Sequence, residues 1–188
     1  ELIKLMPETK NLLQPQFIYC DLTVTKSISQ VFNEIFKKFG YLDVLCNNAA
    51  DDNRHNWETI SSSDWDYYQN INLKSQFFCI KEFSKFTKED KGGSIICMGS
   101  IAYLNGTVEM PSYTTAKAGL VGLVNTMAKL LGKKRIRVNL IQPGWIMTKK
   151  QILNWVDEEA ESLIENNQLI EGKINPDEPA KLVLFLAS

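Results

Sequence analysis

Four short apolar runs alternate with three amphipathic ones along this chain, and that alternation constrains its fold more than any single residue does. The runs are QFIYC at 16–20, LDVLC at 42–46, GGSIICMGS at 92–100 and RIRVNLIQPG at 135–144, bounded by turn-forming residues such as DLT and PG. Between the first two, SISQVFNEIFKKFG sets Ile28, Val31, Phe32, Ile35, Phe36 and Phe39 at helical spacing, with Lys37 and Lys38 in the last turn and Gly40 placed to close it. Aromatic and aliphatic residues recur at helical intervals from about 64 to 86, behind a cap at Ser62 or Ser63. A third helix is expected over 112–131, with Ala116, Leu120, Leu123, Val124, Met127 and Leu131 on its apolar face.

Strand, helix, strand, helix, strand, helix, strand is the order of an α/β fold, with a parallel sheet, right-handed crossovers and helices on the sheet faces. LDVLC reads as a strand buried on both faces. Ligands of such open sheets bind beyond the carboxyl ends of the strands. Those ends are Asp21, the NNAA at 47–50, Gly99-Ser100 and Pro143-Gly144. The 188 residues are expected to form one domain, in which the charged, Asn-rich stretch 149–178 is a helical insertion that serves as a lid over the site.

A formal net charge of -1 leaves no basic field to hold nucleic acid or an anionic membrane surface, so a small molecule is the expected partner. Apolar runs such as KLVLFLA fall well short of the roughly 20 residues that span a bilayer. Cys20, Cys46, Cys79 and Cys97 are widely separated in apolar contexts and read as buried free thiols of a reducing cytoplasm. His55 is the only histidine, so no multi-histidine metal site is possible and no metal is expected.

Chemistry concentrates in PSYTTAK at 111–117, where Tyr113 and Lys117 emerge on one helix face. A tyrosine acting as a base near neutral pH must lose about 3 units from its ordinary value near 10, or about 4 kcal/mol. An ammonium about 5 Å away supplies on the order of 3 kcal/mol at an effective dielectric of about 20. The positive end of the helix adds up to about 1 kcal/mol. Ser100, thirteen residues before Tyr113 at a strand end, can bond a substrate oxygen there. Asn72 interrupts the apolar pattern of the preceding helix, where it can hold a water that relays protons from Lys117.

Together NNAA, the NINL around Asn72, the GS at 99–100, YTTAK, RVNLIQPG and Thr148 resemble the short-chain dehydrogenase/reductase family from about residue 16 onward. The resemblance implies a Rossmann-type, doubly wound sheet and a nicotinamide cofactor, NAD or NADP. It implies a catalytic set of Asn72, Ser100, Tyr113 and Lys117, in which Tyr113 takes a hydroxyl proton while hydride leaves the same carbon, and Lys117 also binds the nicotinamide ribose. It places Asp21 and Leu22 at the adenine, Asn48, Ala49 and Ala50 along the ribose, and Pro143, Gly144, Ile146 and Thr148 around the nicotinamide. Ala50 stands where the family usually has glycine. The family's opening glycine-rich turn does not occur, so the sequence is expected to lack the first two strands and a C-terminal strand of the full fold. A homotetramer formed through the two long helices is the family expectation.

The polar loop DDNRH at 51–55 suits a polyhydroxylated ligand. With SIAYLNGTVEMPSY and PGWIMTKKQ it is similar to the aldose 1-dehydrogenase branch, which implies oxidation of a sugar at its anomeric carbon. Asp52, Arg54, His55, Glu109 and Trp145 are the candidate substrate contacts. Two rivals stand beside this reading: a 3-oxoacyl carrier-protein reductase with the same catalytic set, and a non-catalytic dinucleotide sensor.

Overall fold

The computed structural model describes residues 15–87 and 91–188; residues 1–14 of the expected domain span lie outside them. In chain order the elements are α1 (Thr25–Phe39), β1 (Val44–Asn47), α2 (Ser62–Gln69), α3 (Ser75–Phe86), β2 (Gly93–Met98), α4 (Pro111–Leu131), β3 (Ile136–Ile141), α5 (Lys149–Asn154), α6 (Glu158–Asn167) and α7 (Asp177–Ala187). The three strands run parallel in the order β1-β2-β3, with Leu45 beside Ile95 and Ile95 beside Val138.

Central β2 carries Ile95, Ile96 and Cys97 with no exposed surface, as expected of a strand covered on both faces. Ile95 and Cys97 join Ile136 and Val138 under Ile28 and Phe32 of α1, Phe83 of α3, and Val124 and Met127 of α4. Each such aliphatic or aromatic side chain contributes about 2 kcal/mol by leaving water. Ser94 lies on the opposite face, where its hydroxyl donates to the Leu186 carbonyl of α7 at 2.6 Å. The apolar run KLVLFLA is therefore a sheet-covering helix, and no helix among the described residues is long and apolar enough to cross a membrane.

Sequence and helix boundaries agree where local chemistry dictates them. α1 ends at Gly40, which takes the left-handed conformation (φ 79°) and donates its N–H to Phe36 at 2.7 Å, beside Lys37 and Lys38 in the last turn. The long helix begins two residues earlier than expected because Ser61, not Ser62 or Ser63, caps it: Ser61 and Asp64 form a reciprocal capping box. Within it, Asn70–Lys74 makes a wider π turn.

Three expectations are corrected. Residues 16–20 join no ladder among the described residues and so form no strand there, since a strand exists only through a hydrogen-bonded neighbour. Phe17 and Tyr19 face solvent, while Cys20 packs against the core. β1 is not buried on both faces: Val44 and Cys46 are exposed, and only the face toward α3 is covered. The four thiols are free as expected, but only Cys79 and Cys97 are buried, where burial pushes them up to about 12 and about 11.

The 149–178 stretch is helical as expected, as α5 and α6. Its ends are drawn together where Ile146 bridges Ile174 and the Met147 N–H donates to the Ile174 carbonyl at 2.9 Å.

Candidate active site

The carboxyl ends of β1, β2 and β3 lie side by side, and α4 starts beside them. Pro111 occupies the first turn of α4, where its missing N–H costs nothing. The next residue, Ser112, is fully buried and fastened from three sides. Its N–H donates to His55 Nε2 at 3.2 Å, its hydroxyl donates to the Trp65 carbonyl at 3.2 Å, and Gln69 Nε2 donates to its carbonyl at 2.8 Å. The start of the helix that bears Tyr113 is thereby fixed to α2 and to the loop after β1.

Lys117, one turn on, is 1% exposed and donates from Nζ to the Met98 carbonyl at 2.7 Å, which ties α4 to the end of β2. Burial holds its ammonium down to about 8. Nζ stands 5.3 Å from the centre of the Tyr113 ring. The expectation that Lys117 lowers the phenol is corrected here: burial dominates and pushes Tyr113 above its ordinary value, while a hydrogen bond with Ser100 works against it. At Gly99 an added Cβ would crowd the Ile141 carbonyl oxygen at 3.1 Å, so a larger residue there would press on the neighbouring strand end.

Asn72 sits in the π turn with no exposed surface. A π turn frees carbonyls from their usual partners, and side chains take them up. Asn72 Nδ2 donates to the Tyr68 carbonyl at 3.0 Å, Ser75 Oγ to that of Ile71 at 2.6 Å and Gln76 Nε2 to that of Asn72 at 3.3 Å. Asn72 also accepts from the Asp51 N–H at 3.0 Å and donates to the Asp51 carbonyl at 2.9 Å. Its amide thus holds the loop after β1 in place.

That loop carries three of the expected substrate residues, Asp52, Arg54 and His55, and the structure gathers Asp52 and Arg54 with Glu109 and Trp145 at its meeting with α5. Asp52 accepts from Lys150 Nζ at 2.5 Å and Gln151 Nε2 at 2.5 Å. Burial pushes its carboxyl up, but the Lys150 ammonium and the Gln151 amide together outweigh that and hold it below its ordinary value. Arg54 pairs with Glu109 at 3.3 Å, and its guanidinium lies 4.9 Å from the Trp155 ring and 5.9 Å from that of Trp145. The Trp145 indole donates to Gln151 Oε1 at 2.8 Å. His55 differs from the other four. Nε2 accepts from Ser112, Nδ1 lies 3.1 Å from the Asn53 carbonyl, and the ring stacks on Tyr68, so both nitrogens serve the scaffold.

The cofactor candidates border the same edge. Asp21 accepts from the Thr23 N–H and hydroxyl, bonds that keep its carboxyl below the ordinary value, while Leu22 packs against the core. Asn48, Ala49 and Ala50 are exposed beyond β1. Pro143 accepts from the Ile101 N–H, Ile146 forms the bridge to Ile174, and Thr148 caps α5 by accepting from the Gln151 N–H. At Gly144 an added Cβ would find ordinary contacts at 3.6 Å, so nothing within the chain demands glycine there. The open strip of small residues and the buried Lys117 ammonium fit a dinucleotide. Among the described residues no three His, Cys, Asp or Glu groups converge as a metal would need.

Sequence reading missed Asp51, Gln69, Ser112, Lys150 and Gln151. Only the meeting of distant segments reveals them: Asp52 and Lys150 are 98 residues apart, and no local pattern marks the pair.

A family model described as enoyl-(acyl carrier protein) reductase matches residues 4–188. D-xylose 1-dehydrogenase of Caulobacter vibrioides is 39% identical over 176 residues, covering 94% of this chain and 69% of that protein. A protein of Rhizobium meliloti named "probable galactose dehydrogenase" is 37% identical over 174 residues, covering 93% of this chain and 68% of its own length. Among solved structures, a mutant short-chain dehydrogenase/reductase from Serratia marcescens superposes with a TM-score of 0.82 at 30% identity, covering 91% of this chain and 68% of the other.

Proposed function

The chain belongs to the short-chain dehydrogenase/reductase family, and from that premise we propose that it oxidises an aldose at the anomeric hydroxyl, giving a lactone. The meeting of Tyr113 with Ser100 and Lys117 at the carboxyl end of β2 is the observation that supports this reading. A nicotinamide dinucleotide, NAD or NADP, supplies the hydride acceptor and a positive ring charge when bound along Asp21, Leu22, Asn48, Ala49, Ala50, Pro143, Gly144, Ile146 and Thr148.

Ser100 holds the substrate oxygen and Tyr113 accepts its proton. Lys117, already held by the Met98 carbonyl, would turn its remaining N–H donors to the ribose hydroxyls, and its positive charge favours the phenolate that takes the proton. Asn72 keeps the loop after β1 at the distance the substrate needs. Asp52, Arg54, Glu109 and Trp145 supply donors and acceptors for the remaining hydroxyls, with aromatic faces behind them, a combination suited to a sugar. His55 holds the start of α4 rather than the ligand. A cytoplasmic homotetramer completes the proposal.

The test is lactone formation from a panel of aldoses, with NAD and with NADP. Turnover of one aldose well above the others is expected. No turnover on any sugar, together with reduction of a 3-oxoacyl thioester, would overturn the reading in favour of a carrier-protein reductase.

A further inference from the structure

We propose that His55, held as its Nδ1–H tautomer, supplies from another segment the cap that α4 lacks, and so acts as a positioning residue for Tyr113 that lets go when the ring takes a second proton. Its kinetic part rests on the reading of Tyr113 as the acid-base group.

The first turn of a helix has N–H groups that no carbonyl of that helix can reach. At the start of α4 the cap position is Met110, whose side chain makes no cap bond, and Pro111 has no N–H to satisfy. Ser112 has one, and with no exposed surface it cannot turn that group to water. Trp65 and Gln69 engage its hydroxyl and carbonyl. The N–H is left to His55 Nε2, which accepts it at 3.2 Å, one residue before Tyr113.

Two contacts require the same protonation state. Nε2 faces an N–H and must accept, whereas Nδ1 faces the Asn53 carbonyl at 3.1 Å and must donate. Only the neutral ring protonated at Nδ1 meets both demands. The ring stacks on Tyr68 with centroids 4.5 Å apart, and the His55 backbone N–H donates to the Glu109 carbonyl at 2.8 Å. His55 thus ties both its backbone and its side chain to the turn that leads into α4.

A second proton makes Nε2 a donor aimed at a donor and sets a positive charge at the positive end of a 21-residue helix. The cap is lost on both counts. The carboxylates around the ring already have partners: Asp51 accepts from Tyr67 Oη at 3.0 Å, Asp52 from Lys150, Asp64 of α2 from Ser61, and Glu109 pairs with Arg54. Tyr68, which burial pushes above its ordinary value, stays neutral beneath the ring. Lys117 of α4 is turned to the Met98 carbonyl. Both ring nitrogens face backbone groups, which do not titrate.

His55 is the only histidine, so NMR of protein carrying isotopically labelled histidine reads one residue. In mildly alkaline solution Nδ1 is expected to be protonated and Nε2 bare, and on titration into acid the Ser112 amide should shift with the same midpoint as the ring. An Nε2–H tautomer, or a Ser112 amide that ignores the ring, would overturn the proposal with no variant and no substrate involved.

Variants then test the consequence for catalysis. His55→Phe keeps the stack and drops the acceptor, so exchange of the Ser112 amide should quicken about fivefold and kcat fall by a similar factor, with KM for the aldose unchanged. His55→Gln offers an acceptor that does not titrate and should recover most of that loss. The acid limb of kcat, a single-proton limb for Tyr113 alone, should steepen toward two protons in the parent and stay single in His55→Gln. Equal losses in the two variants, or the same limb in parent and His55→Gln, would contradict the positioning role. If no aldose turns over, the proposed reaction fails, while tautomer, shared midpoint and amide exchange still decide this inference.

Discussion

At the scale of single residues, the site joins groups whose burial is costly. Lys117 is the clearest case: the folded chain releases its proton at about 8, while the unfolded chain keeps it to its ordinary value of 10.5. Between those values the unfolded state binds more protons, so stability rises with pH across the window, and below it the full cost of the buried ammonium is present. Lys117→Met is therefore expected to raise stability at neutral pH by about 1–2 kcal/mol, after allowing for the orphaned Met98 carbonyl, and to remove turnover. Denaturant unfolding at several pH values checks it; a destabilised variant contradicts it. Tyr113→Phe is expected to cut kcat by about a thousandfold while cofactor affinity, read by fluorescence titration, stays unchanged. Tyr113 and Lys117 were legible in the sequence because helical spacing alone brings them together. The direction of the Tyr113 shift was not, because burial is a property of the assembled fold.

At the scale of elements, legibility followed the range of the forces involved. β2 and α4 appeared almost where the apolar patterns put them, since alternation and periodicity are local. Residues 16–20 and the outer face of β1 did not, because a strand's pairing and covering come from elsewhere. The π turn also escaped periodicity, although the side chains that take up its freed carbonyls, Asn72, Ser75 and Gln76, lie within five residues of chain. Two tests address how these elements are held. Ser61→Ala removes the box at the start of α2 and should cost about 1 kcal/mol, with faster amide exchange confined to its first turn. Gly92→Ala should cost about 3 kcal/mol or more, because φ is 73° and the added Cβ would meet the Arg135 carbonyl oxygen at 2.2 Å, where β2 and β3 begin. A thermally unchanged Gly92→Ala would contradict the register of that pair.

At the scale of the whole molecule, the helices beside the site leave apolar surface uncovered: Trp65 and Tyr67 on α2, Phe77 on α3 and Leu130 on α4 are all exposed. The proposed tetramer would cover such surface, and sedimentation velocity should find a species several times 21.4 kDa. A lone 21.4 kDa boundary at micromolar concentration would exclude the assembly. The pairing of Ile146 with Ile174 has a consequence at this scale as well. An excursion that departs and re-enters at one neck can lengthen, shrink or be traded wholesale without re-threading the strands beneath it. On the proposed reading of this stretch as a lid, such an exchange would leave Asn72, Ser100, Tyr113 and Lys117, which lie outside it, in place.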